Sequence, residues 1–258
     1  MTDRTTDRGT DRDTGRDADP VTGHDADRVA GLAPGRAPER LVDDLDELPE
    51  WMRGLAAAAV DADADTFLNY PKPPAFTGRA ASVLMLFGEG HRGPDLLLLR
   101  RADTLGSHPG QVAFPGGAAD PEDSGPVGTA LREAFEETGV LAEGVRPVAL
   151  LPELHVPVSG FLVTPVLAHW RTPVPVAPVD PGETAAVARV PVAHLADPAN
   201  RFRVSHPSGY TGPAFSAPGM LVWGFTAGLV SGLLRLGGWE RPWDATDVRD
   251  LDSALRAT

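Results

Sequence analysis

With 258 residues, 42% of them hydrophobic, the chain has material for one good-sized core, or for two domains. The absence of cysteine excludes disulfides, thiolate metal sites and a cysteine nucleophile, and accords with a reducing, cytoplasmic setting. A formal net charge of −13, with Lys72 the sole lysine, argues against nonspecific nucleic-acid binding and means that a polyanionic substrate must be met by metal or local arginines.

Residues 1–40 are dominated by Asp, Arg, Thr and Gly, and TDR recurs at Thr2–Arg4, Thr6–Arg8 and Thr10–Arg12. Such a segment has almost nothing to bury, so a disordered tail is expected. It also lacks the apolar run of a secretory signal. Residues 41–258 are expected to form one domain, with a helical lead-in at about 41–74. There two short helices break at Pro49, and Pro71, Pro73 and Pro74 mark an extended connection.

Strand signals follow at Ser82–Gly88 and Leu96–Ala102, with a turn between them. A short strand from Gln111 runs into a glycine turn, Phe114–Gly117. Val127–Thr138 has helical spacing, with Ala130, Leu131, Ala134 and Phe135 as its apolar side and Gly139 as its stop. Val148–Leu154, Leu162–Trp170 and Ala185–Val190 are further strand candidates, and a helix over Leu221–Leu236 closes the domain. The longest uncharged apolar stretch, Gly219–Leu234, is short for a membrane span and is expected to be a buried helix. The alternation predicts an α/β fold, an α/β/α sandwich with a mixed sheet.

The most informative stretch is REAFEETG, Arg132–Gly139. Glu133, Glu136 and Glu137 stand at i, i+3 and i+4, so a helix brings three carboxylates to one face. They repel, and a hard cation such as Mg²⁺ or Mn²⁺ would turn the repulsion into coordination. The glycine turn just upstream can bring backbone oxygens to the same place.

This segment resembles the Nudix box, G-x5-E-x7-R-E-U-x-E-E-x-G-U, where U is bulky and aliphatic. Counting forward from Gly117, Asp123 falls where the first glutamate is expected, and one residue is inserted before the helix. Ala134 stands at a position usually held by a larger aliphatic residue. The upstream stretch Leu96–Asp123 resembles the coenzyme A pyrophosphatase branch of that family. Arg101, Leu105, His108, Gly110, Gln111, Val112 and Phe114–Gly117 match its signature, while Ala102 replaces a serine and Gly106 an arginine. Weaker likeness continues through Val179–Arg201 and through Val222–Leu234, with its W-G-x-T-A element, so that the resemblance covers roughly 45–258.

The resemblance implies a Nudix-type α/β/α sandwich and metal-dependent hydrolysis of a diphosphate. Glu133, Glu136 and Glu137 would be the metal ligands, with the carbonyl of Gly117 as a further one. Arg132 would orient a box carboxylate. The general base is open among Glu137, Glu183 and Glu153, with Glu183 favoured as base or extra ligand. Arg101 is preferred over Arg100 as a phosphate contact, and His108 is a candidate substrate contact; His155 stays open, and the five tryptophans read as core or rim. The expected substrate is coenzyme A or a derivative, cut to 3′,5′-ADP and 4′-phosphopantetheine. ADP-ribose, NADH or another nucleoside diphosphate derivative is the alternative. A non-catalytic Nudix-fold binding protein is a third reading, against which all three glutamates stand. No nucleic-acid or membrane partner is expected.

Overall fold

A computed structural model describes residues 37–68, 78–157 and 159–258. Most of the expected tail and the connection at Pro71–Pro74 lie outside the described residues. The described residues all fall in one compact unit. In chain order its elements begin with β1 (Glu39–Arg40), α1 (Glu50–Ala58), β2 (Arg79–Gly90), β3 (Gly93–Arg101), β4 (Val112–Ala113) and β5 (Gly116–Ala118). Then come α2 (Pro126–Thr138), β6 (Val145–Leu150), β7 (Leu154–Val156), β8 (Phe161–Trp170) and β9 (Thr184–Pro191). The chain continues with α3 (Val192–Leu195), β10 (Arg201–Ser205), β11 (Thr211–Ala217), β12 (Met220–Val222), α4 (Gly224–Leu236), β13 (Val248–Asp250) and α5 (Leu251–Arg256).

Among the described residues the main sheet has nine strands, with β2 at its centre between β8 and β3. β2 runs parallel to β8, from Arg79 opposite Phe161 to Phe87 opposite His169, and antiparallel to β3 and β5. The sheet is therefore mixed. Side chains alternate across it, as the period of a strand demands. Leu84, Leu86 and Leu97 point into a core with Ala130 and Ala134 of α2. Met85, Phe87, Leu96 and Leu98 point into the other core, with Met52 and Leu55 of α1 and Leu229 and Leu233 of α4. Helices thus cover both faces, giving three layers. Each of these fully buried leucines contributes roughly 1.5–3 kcal/mol by leaving water.

A second sheet of four strands, ordered β12-β11-β10-β13, was not expected. It accounts for several departures from the sequence reading. Gly219, at φ +68, turns the chain so that Met220–Val222 pairs back on β11, and the closing helix begins only at Gly224. Elsewhere, β2 and β3 extend to a tight hairpin at Gly90 and Gly93 instead of parting at Gly88. The strand expected over Val148–Leu154 is two, because Leu151–Glu153, with Pro152, interrupts it. Phe135 is not on the apolar side of its helix: it is 54% exposed. Ala130 and Ala134 are fully buried, and Leu131 and Val127 pack partly buried against the same core, so Phe135 alone leaves the expected apolar side. Among the described residues, no helix is long and apolar enough to cross a membrane.

Candidate active site

The glycine turn is held against the central strand by backbone pairing. Val83 faces Gly116 and Ser82 faces Gly117, and the amide of Leu84 donates to the carbonyl of Pro115 at 2.7 Å. Gly116 has φ +156, and a Cβ there would collide with the carbonyl of Ser82. Only glycine allows so close an approach. From the other side of the sheet, Thr226 of α4 donates its buried hydroxyl to the carbonyl of Val112 at 2.9 Å, just before the turn.

α2 starts at Pro126, where the fixed φ of proline suits the first helical position. It ends at Gly139, whose left-handed φ of +75 lets its amide close on the carbonyl of Phe135 at 2.9 Å. Its two buried alanines seat it on the sheet, and its charged face meets the glycine turn. Glu137 accepts the Gly116 amide at 2.9 Å. Gly117 lies against Glu133, since a Cβ on it would come within 2.5 Å of Oε1.

Arg132 anchors this arrangement. It gives Asp123 a two-pronged contact, Nε to Oδ1 at 2.9 Å and Nη2 to Oδ2 at 3.0 Å, and reaches the carbonyl of Ala118 at 3.0 Å. Its Nη1 reaches Glu133 at 2.9 Å and Glu136 at 3.1 Å. Thr129, one helical turn before Glu133, also donates to Asp123, at 2.8 Å. Thr129 was absent from the sequence reading, although its place on the same face as Glu133 was visible. The Arg132 contact holds Asp123 well below the usual carboxylate range, and Asp123 in turn raises the arginine. Bidentate, charge-assisted pairs of this kind fix orientation as well as contribute energy.

The glutamates are less well compensated. Burial pushes Glu137 up to about 7; the Gly116 amide and Arg101 oppose that rise, and the charges of Glu133 and Glu183 add to it. Burial also raises Glu133, against the pull of Arg132. Two mutually repelling, partly buried carboxylates suit a hard divalent cation. Among the described residues, however, no group of three or more His, Asp or Glu side chains is gathered as a formed metal cage. Glu136 is the outlying member: its side chain is 55% exposed and leans on Arg132.

The other candidates divide. Arg101 lies on β3 beyond an irregularity at Arg100/Arg101, opposite Thr184, and is close enough to Glu137 to lower its pKa. Its Nε is buried without a hydrogen-bond partner. Arg100 is turned elsewhere and paired with Asp103 at 2.6 Å. Glu183 is exposed, and its carbonyl accepts the amide of Ala102 at 2.8 Å, which binds the β9 entry to the end of β3. His108 is exposed in a tight turn, with a left-handed φ of +54 and its carbonyl taking the Gln111 amide. Its side chain makes no hydrogen bond to the glutamates. Glu153 lies in the β6–β7 loop, and no hydrogen bond or ion pair joins its side chain to the cluster, while His155 sits on β7 opposite Leu162.

Several known proteins resemble this chain. "Uncharacterized Nudix hydrolase NudL" of Yersinia enterocolitica is 46% identical over 101 residues, 39% of this chain and 51% of that protein. The protein of the same name from Pectobacterium atrosepticum is 54% identical over 77 residues, 30% of this chain and 40% of that protein. The chain thus spans about half the length, or less, of these curated relatives. A solved Nudix hydrolase from M. smegmatis, RenU, is 27% identical, covering 47% of this chain and 76% of that one, with a TM-score of 0.36. The NUDIX domain model matches residues 76–208, which run from before β2 to beyond β10 and include the whole glycine turn and carboxylate helix. The chain belongs to the Nudix domain family.

Proposed function

We propose that this protein hydrolyses the diphosphate linkage of coenzyme A or its derivatives, giving 3′,5′-ADP and 4′-phosphopantetheine. The observation that carries the chemistry is Glu137, a partly buried carboxylate that accepts the Gly116 amide and that burial raises to about 7 in the metal-free protein, with the charge of Arg101 opposing the rise. A base with a pKa near the working pH combines an adequate ionised fraction with adequate proton affinity. Glu137 takes a proton from water as the water oxygen bonds to phosphorus and the bridging P–O bond breaks. The Gly116 amide keeps one carboxylate oxygen engaged, which orients the other. Arg101 supplies a cation to the phosphate oxygens, and Arg132 holds Glu133 and Glu136 in place. Glu183, at the exposed edge of the site, is the second candidate base. A Mg²⁺ or Mn²⁺ ion held by Glu133, Glu136 and the Gly117 carbonyl would supply charge neutralisation and Lewis acidity at the diphosphate, with Glu137 joining these ligands where Glu183 is the base.

The substrate assignment rests on the signature residues between Arg101 and Gly117, His108 among them. One observation favours a second reading. Gly106, where the branch has arginine, has nothing within 4 Å of where its side chain would begin, so the loop is open at that point. ADP-ribose, NADH or another nucleoside diphosphate derivative would then be the substrate.

Purified protein is incubated with coenzyme A, and separately with ADP-ribose and NADH, with Mg²⁺ or Mn²⁺, and products are read by mass. Formation of 3′,5′-ADP and phosphopantetheine is expected from coenzyme A alone. Turnover of the others with coenzyme A untouched overturns the substrate. Replacing Glu136 and Glu137 together by Gln should abolish turnover, a loss of at least about 10³-fold; persisting activity would overturn the site.

A further inference from the structure

α4 packs against β11 of the second sheet and shares the core on the side of the main sheet opposite α2, and beside it three arginines converge on a cavity that the glutamate site does not use. The cavity is about 500 Å³ and lies between β10 and β11, one stripe of α4, and the turn ending at Leu68. Arg201 and Arg203 alternate with the buried Phe202 and Val204 along β10, so both leave the same side of the strand. Across from them α4 contributes Ser231 and Arg235, one turn apart, and Trp243 closes the rim. Asp65 is the one acid among the described lining residues.

The cations are incompletely offset. Arg201 is only 5% exposed. It pairs with Glu240 at 2.7 Å and donates to Ser231 at 3.2 Å, but its Nε is buried without a partner among the described residues. The guanidinium stands 4.3 Å from the Trp243 ring centroid, which cradles it without neutralising it. Arg235 donates to the carbonyl of Thr66, a neutral acceptor. The side chain of Arg203 makes no hydrogen bond or ion pair with any described residue. Burial, and further the charge of Arg235, lower the pKa of Arg201. A purely structural role explains the Arg201–Glu240 pair. It does not explain two further arginines at the same cavity in a chain with a net charge of −13.

We propose that this cavity binds a phosphorylated small molecule of about nucleoside monophosphate size, held by Arg201, Arg203 and Arg235 and separate from the glutamate site. Guanidinium groups match phosphate with paired hydrogen bonds, and clustered arginines favour a dianion over a neutral ligand. The volume falls in the roughly 300–1,000 Å³ range of small-molecule sites, far more than a bare phosphate needs. The site shares no lining residue with the carboxylate cluster.

The test is calorimetric titration of the full-length protein in EDTA with AMP and, separately, adenosine. Saturable binding of AMP and none of adenosine is expected. Arg203→Gln and Arg235→Gln should each weaken AMP binding about tenfold or more while the thermal midpoint stays within a few degrees; Arg203, having no side-chain partner to lose among the described residues, is the safer of the two. The Glu136→Gln/Glu137→Gln protein should bind AMP as the parent does. Absent saturation, equal binding of adenosine, or unchanged affinity in a folded Arg203→Gln protein overturns the proposal. Loss of binding in the glutamate variant alone also overturns it, by placing the ligand at α2.

Discussion

α2 and α4 have the same length, 13 residues, and belong to the cores on opposite sides of the main sheet, but they are held there by different means. α4 buries nine consecutive residues, Thr226–Leu234, and carries no carboxylate. α2 buries only Thr129, Ala130, Ala134 and Thr138, and its position depends on polar ties from Arg132 to Asp123 and Ala118 and from Glu137 to Gly116. The difference separates two tasks. Apolar burial on one face stabilises the fold, and this leaves the other face free to carry repelling carboxylates whose burial is itself unfavourable.

The comparison can be broken most forcefully through α4. Leu229→Ala removes a fully buried side chain and should cost about 2–5 kcal/mol in a urea melt. The kcat of the remaining folded protein should be nearly unchanged; a collapse of kcat at constant stability would dissolve the division of labour.

Glu137 offers the opposite case. Its folded pKa of about 7 exceeds the ordinary carboxyl value of 4.5. Between those values the folded protein keeps a proton that the unfolded chain has lost, so stability falls as pH rises through that window. The total is on the order of 3 kcal/mol. Urea melts in EDTA from pH 4 to 8 should show this fall in the parent and a shallower slope in Glu137→Gln. That variant should be at least as stable as the parent at pH 8. Identical slopes would show that Glu137 does not titrate there.

The smallest effect sharpens the link between the two faces. Thr226→Val removes the hydroxyl that α4 offers to Val112 and should cost about 1 kcal/mol. A proportionally larger fall in kcat/KM than in stability would show that α4 also positions the glycine turn; equal or smaller changes would confine it to stability.

Much of this organisation could be read from the sequence because it rests on local spacing. The i, i+3, i+4 glutamates, the glycine turn and the Gly139 stop are each set by a few neighbouring residues. The spacing does not tell where each carboxylate turns. Glu136 leans on Arg132, and Glu137 finds the Gly116 amide 21 residues away, an outcome of β5 pairing with β2. Phe135 shows the limit of periodicity: Ala130, Leu131 and Ala134 face the core as their spacing predicts, but Phe135, at the edge of the same stripe, is left in solvent. In Gly219–Leu234 the apolar run is unbroken and carries no period, so a strand and a helix merged into one expected helix. The arginine cavity joins residues 34 positions apart, Arg201 and Arg235, through a sheet whose strands were not anticipated.

The parallel ladder between β2 and β8, where Arg79 faces Phe161, has a topological consequence. It makes the intervening chain a closed excursion, and the glycine turn, Asp123 and every glutamate of α2 lie within it. Zipping that ladder incurs a loop-closure entropy that changes slowly with loop length. Residues added or removed at the outer tips of the excursion, as at the insertion before α2, therefore alter the cost of assembly only slightly. The central strands can thus tolerate lengthening of the segment between Ala118 and Pro126, provided that Asp123 still reaches Arg132.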